Sequence, residues 1–86
     1  MTEYATYTTE QCLKQETLFL VIVRQEGTWV SGRKEPTGSI VKVDLRPCGR
    51  GNSSFSYCMD DYREASGSEK LLVYSGKRDV IIWRNR

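Results

Sequence analysis

The chain contains no histidine. That absence removes the side chain most often used as a general base, the usual activator of a serine or cysteine nucleophile, and a frequent zinc ligand. The sequence therefore predicts a protein that is not an enzyme. There is no Cys-x-x-Cys pair either: the three cysteines are Cys12, Cys48 and Cys58, a spacing that suits no structural zinc site. An odd number cannot pair off within one chain. The expectation is an intracellular protein with free thiols, at least two of them acting as small buried hydrophobes. The alternative is one disulfide and a spare thiol in the mature form of a secreted protein.

Long apolar runs are also missing. The longest spans residues 18–23, far short of the roughly 20 residues of a membrane span, and Met1 is followed by polar residues instead of an apolar signal region. No membrane partner is expected, and the cytoplasm, its own or that of a host cell, is the expected compartment. No repeat or low-complexity tract is visible. The segment "PCGRGNSS" has the backbone freedom and the arginine, Arg50, to wrap a phosphate, but it lacks the Gly-Lys-Ser/Thr ending of a P-loop and reads as a strand connection. Asp60, Asp61 and Glu64 in "DDYRE" offer carboxylate oxygens to a divalent cation, yet at this spacing they read as a solvated helix start. Neither a metal nor a cofactor is expected.

What is present describes a single folded module. The chain has 86 residues, 38% apolar and 28% charged, enough for one core and too little for two, so residues 1–86 are expected to form one compact domain. The net charge of +2 is unevenly spread, with residues 24–50 and 77–86 positive and residues 1–16 and 51–70 negative. A basic surface forms only if the two positive segments meet in the fold.

Period-two patterning dominates. In "TLFLVIVRQEGTWVSGR" an apolar, β-branched run leads to Glu26-Gly27, placed for a two-residue turn, and then to a second run. A hairpin is expected, with Val23 opposite Val30 and Arg24 opposite Trp29. Residues 18–23 are apolar at both parities, which predicts a central strand covered on both faces. "IVKVDLRP" alternates Val41, Val43 and Leu45 with Lys42, Asp44 and Arg46, giving a strand with one wet face. "SSFSYCM" alternates Phe55, Tyr57 and Met59 with smaller residues. "KLLVY" and "DVIIW" are expected to form a second hairpin about Gly76.

Helix signals are few. Asp61-x-x-Glu64 reads as a capping box for one or two turns. In residues 1–16, Thr8-x-x-Gln11 caps a short helix while "EYATYT" alternates like a strand; the short helix is preferred. The sum is an all-β fold, or β with one short helix: a small antiparallel barrel or two-sheet sandwich of about six strands.

The candidate binding residues are the cations Arg24, Arg33, Lys34, Arg50, Lys77, Arg78, Arg84 and Arg86, with Trp29 and, as further stacking surfaces, Tyr74 and Trp83. The closing segment "SGKRDVIIWRNR" resembles the end of bacterial translation initiation factor 1, an oligonucleotide-binding barrel in which a basic turn precedes a last apolar strand closed by arginines. The middle of the chain does not follow that pattern. In size and strand count alone the chain is similar to small phage inhibitors of bacterial defence and to secreted six-stranded fungal effectors. Those likenesses imply a rigid module that covers a partner's surface or adds a strand to its edge. The leading expectation is thus a β-module that binds and modulates or inhibits a protein partner, and the alternative is a nucleic-acid-binding barrel.

Overall fold

A computed structural model describes residues 3–24 and 36–83 of the chain. Strand β1 (Tyr4–Tyr7) leads into helix α1 (Thr9–Gln15), and β2 (Thr17–Ile22) is followed by β3 (Ile40–Asp44) and helix α2 (Arg46–Arg50). Then come β4 (Phe55–Cys58), β5 (Tyr62–Glu64), helix α3 (Gly67–Tyr74) and β6 (Val80–Trp83). The strands form two sheets, a two-stranded ribbon of β1 and β4 and a four-stranded sheet in the order β5-β2-β3-β6. Among the described residues these do not close into a barrel. The described residues are β-rich with three short helices, more helix than the sequence suggests.

The central strand is where the sequence places it. β2 lies between β5 and β3, antiparallel to both, and residues 18–22 are all buried. Its two faces serve two cores, as period two requires. Leu18, Leu20 and Ile22 join Val41, Val43, Leu45, Phe55, Tyr57, Tyr62 and Cys12 beneath the β1–β4 ribbon. Phe19 and Val21 join Ile40 and Ala65, with Val73 of α3 and Val80 of β6 packed against them. Two of the cysteines, Cys12 and Cys58, are buried and all three are free thiols.

The first seventeen residues hold both structures that their pattern allows. "YATY" pairs with β4 from Tyr4↔Cys58 to Tyr7↔Phe55. Thr8 then caps α1: its Oγ1 accepts from the Gln11 N–H at 3.2 Å while the Thr8 N–H donates to Gln11 Oε1 at 2.9 Å.

Four expectations are corrected. "KLLVY" is not a strand but the body of α3, because the working capping box is Ser66-x-x-Glu69, with Ser66 N–H donating to Glu69 Oε1 at 2.8 Å and Glu69 N–H to Ser66 Oγ at 3.3 Å. A short apolar run fits helix or strand equally by periodicity, and here the cap decides. Asp61-x-x-Glu64 starts no helix: residues 62–64 pair with β2 as β5, and Asp61 is tied to Arg24. The expected second hairpin is absent, since β6 runs parallel to β3, in register from Ile40↔Val80 to Val43↔Trp83. A parallel partner needs a crossover, and α3 supplies it. The connection "PCGRGNSS" also differs from expectation, folding into α2 with Pro47 in its first turn, where a missing N–H costs nothing. The hairpin about Glu26-Gly27, with Trp29 and Val30, lies outside the described residues.

Candidate docking edge and its charged ends

Because β3 and β6 are parallel and in register, they define two ends of the four-stranded sheet. Lys77, Arg78 and Asp79 precede β6 at the end where β3 begins. Arg24 follows β2 at the same end, for Ile22 N–H donates to Ser39 O at 2.9 Å and Gly38 N–H to Ile22 O at 2.7 Å. Arg50 belongs to α2, which follows β3 at the opposite end, about 13 Å away along a five-residue strand. The described basic candidates thus fall into two groups and not one patch. Trp29, Arg33, Lys34, Arg84 and Arg86 lie outside the described residues.

At the first end, Arg78 donates from Nη2 to the Gly38 carbonyl, fastening the turn before β6 to the turn before β3. Its backbone N–H and that of Lys77 both donate to Leu72 O, at 3.1 and 3.0 Å, which caps the exit of α3. Arg24 Nε sits 2.8 Å from Asp61 Oδ1. Two of these three cations therefore hold the fold together as well as face solvent. Lys77 is exposed and makes no ion pair among the described residues. A shallow hollow of about 450 Å³ separates Thr37–Ile40 from Lys77–Asp79 and Ile81.

The opposite end carries a feature that the sequence reading did not single out. α3 covers the second face of the sheet only as far as Phe19, where the Tyr74 ring stands edge-on with centroids 5.7 Å apart. Beyond it, Thr17, Lys42, Asp44 and Ile82 remain open and, with Glu16, Arg46 and Trp83, line a groove of about 420 Å³. Arg46 grips Asp44 with both nitrogens, Nε to Oδ1 at 2.9 Å and Nη2 to Oδ2 at 3.0 Å. That guanidinium holds the Asp44 carboxyl below the usual carboxylate range. The ion pair is thereby spent internally, and Lys42, opposite both Phe19 and Ile82 in the register, is the groove's unpaired cation among the described residues. The alternation of Lys42 and Asp44 with valines marks this face as wet; that α3 leaves it open is a matter of where the helix ends.

The aromatic candidates divide. Trp83 is partly buried, its ring 5.6 Å from that of Phe55, so it is a core residue at the sheet margin. Tyr74 is 70% exposed, with one ring edge committed to Phe19. Ile82 is 56% exposed. Among the described residues, the outer edge of β6 pairs with no strand. The carboxylates of "DDYRE" are dispersed: Asp60 is exposed, Asp61 binds Arg24, and Glu64 accepts the hydroxyl of Tyr7. Among the described residues no three His, Cys, Asp or Glu side chains stand together as a metal site would need. No protein-family model, curated protein or solved structure matches this chain.

Proposed function

We propose that this protein is a non-enzymatic binding module that docks on a protein partner by adding the outer edge of β6 to an extended, acidic segment of that partner. The observation that carries this reading is the edge itself. "VIIW" holds four apolar residues in a row, and within it Val80–Ile82 pair only with β3 among the described residues while Ile82 is exposed. An edge of that kind offers main-chain hydrogen bonds and alternate side-chain contacts to an incoming strand. Charge selects the strand. Lys77 and Arg78 precede the edge, Arg84 and Arg86 follow it in sequence, and Lys42 lies in the neighbouring row, so acidic side chains on the partner are favoured. A small module seated this way acts by covering what it binds, which is the logic of an inhibitor.

Selection of random displayed peptides on the purified protein tests the reading. Enriched sequences should alternate apolar with acidic residues, and Ile82→Glu should weaken their binding by about tenfold or more, as expected when a charge is placed at the centre of such a contact. Peptides insensitive to Ile82→Glu would overturn the edge as the site. Tight binding of single-stranded oligonucleotides, falling steeply with salt and dependent on Lys77 and Arg78, would replace this reading with nucleic-acid recognition.

A further inference from the structure

Helices α1 and α2 meet unusually closely, and each carries a cysteine at the meeting point. A Cβ placed on Gly49 would lie 2.7 Å from Leu13 Cγ and Cδ2 and 3.2 Å from the Leu13 backbone nitrogen. Only a residue without a side chain lets the peptide linking Cys12 to Leu13 rest against α2 in this way. Cys12 and Cys48 stand one position back from that contact on their respective helices. Cys48 is half-buried and packs against the core cluster that contains Cys12. A disulfide requires Cα atoms within roughly 7 Å of each other, and a backbone approach this close, one residue along from each cysteine, is what such a span demands.

The third cysteine is placed elsewhere. The Cys12 thiol lies 3.6 Å from Tyr7 O, at the end of the β1–β4 ribbon where Tyr7 faces Phe55. Cys58 faces Tyr4 at the other end, about 10 Å along the ribbon. Topology alone separates one thiol from the other two.

We infer that Cys12 and Cys48 form a thiol–disulfide pair that a low-molecular-weight disulfide such as oxidised glutathione converts to an intrachain bridge. Cys48 reacts first because it is the accessible member. Its thiolate attacks one sulfur of the oxidised glutathione, the S–S bond breaks, and a glutathione thiolate leaves and takes up a proton. Cys12 then attacks the Cys48 sulfur and expels the second glutathione thiolate, which is protonated in turn. The two cysteine thiols lose two electrons and two protons, and one oxidised glutathione becomes two reduced ones. Burial, and secondarily the neighbouring Cys48, push the Cys12 thiol up from its ordinary pKa, which makes it the second of the two to react. The bridge ties the N-terminal β1–α1 arm to the segment between β3 and β4, and it does not depend on the docking edge.

Incubating the reduced full-length protein with oxidised glutathione, then alkylating in denaturant and mapping peptides by mass spectrometry, tests the inference. The expected result is a Cys12–Cys48 cross-linked peptide, alkylation confined to Cys58, and a Tm raised by roughly 10 °C and restored by dithiothreitol. Cys58→Ser should behave like the wild type. Cys48→Ser should form no intrachain bridge while keeping its circular dichroism spectrum, which separates loss of the bridge from loss of the fold. A stable mixed disulfide at Cys48, a bridge to Cys58, a covalent dimer, or full retention of three alkylatable thiols would each overturn the pairing.

Discussion

The four-stranded sheet treats its two edges in opposite ways. β5 is three residues long, and both of its charged side chains are committed. Arg63 reaches across to Glu69 on α3, with Nη1 to Oε1 at 2.9 Å and Nη2 to Oε2 at 3.0 Å. Glu64 accepts the Tyr7 hydroxyl from the ribbon below. A short, charged edge tied to its neighbours is a poor template for another strand. β6 has four apolar residues and no charge between Asp79 and Trp83. One edge is sealed with ion pairs and hydrogen bonds, and the other is left apolar with its charges kept to the flanks. Among the described residues the two edges thus differ in length, in charge and in side-chain hydrogen bonding.

The largest expected effect sharpens the division within β6 itself. Trp83 packs on Phe55 and against the first core, whereas Ile82 points into the open groove. Trp83→Ala should cost about 3–5 kcal/mol, a large part of the stability of so small a domain. Ile82→Ala should cost less than about 1 kcal/mol, since little burial is lost. Urea denaturation measures both, and equal losses would erase the distinction between core and exposed positions on this strand.

The sealed edge should break more gently. Glu69 both completes the Ser66 capping box and holds Arg63. Its carboxyl is pulled down to about 2, first by the hydrogen bonds from Arg63 and then by the Ser66 backbone N–H. A carboxyl whose folded pKa lies below its unfolded value adds stability above the unfolded value, near 4.5, and loses it as the pH falls toward about 2. Glu69→Gln should cost about 1 kcal/mol at neutral pH, mostly through the cap, because the half-exposed Arg63 is screened by solvent. The difference between variant and wild type should shrink through that acid window. A difference that persisted unchanged at pH 2 would contradict the assignment. The hydroxyl that Glu64 accepts provides the alkaline counterpart: burial, and then the bond to Glu64, raise the Tyr7 pKa. A phenol held neutral in the fold should lose stability as the pH rises above its ordinary value of about 10, and Tyr7→Phe should flatten that loss.

The smallest effect lies at the end of α1. Glu16 ends α1 with φ 65, a positive value that side chains resist. Glu16→Gly should stabilise by about 0.5–1 kcal/mol.

Much of the sheet was legible because two-residue periodicity is a local property. The burial of β2 on both faces, the alternation of Val41 and Val43 with Lys42, and the inward Phe55 and Tyr57 all follow from residue order and the pleat. Capping chemistry was legible too, but not its location. Asp61-x-x-Glu64 and Ser66-x-x-Glu69 satisfy the same rule, and only the pairing of residues 62–64 with β2 assigned the first to a strand and left the second to start α3. The candidate site was the least legible part. Lys77 and Arg78 could be named from the sequence, yet that Arg78 anchors the Gly38 turn, that Arg50 lies at the far end, and that Lys42 and Ile82 share an open groove depend on where a crossover helix stops. By itself the sequence determined which residues alternate, which cannot serve as a histidine base, and which segments carry charge, because those properties belong to each residue and its near neighbours. Only the tertiary structure decided that β6 returns parallel at an edge rather than as a hairpin, since that choice rests on which long-range surface remains to be covered once β2, β3 and α3 have packed.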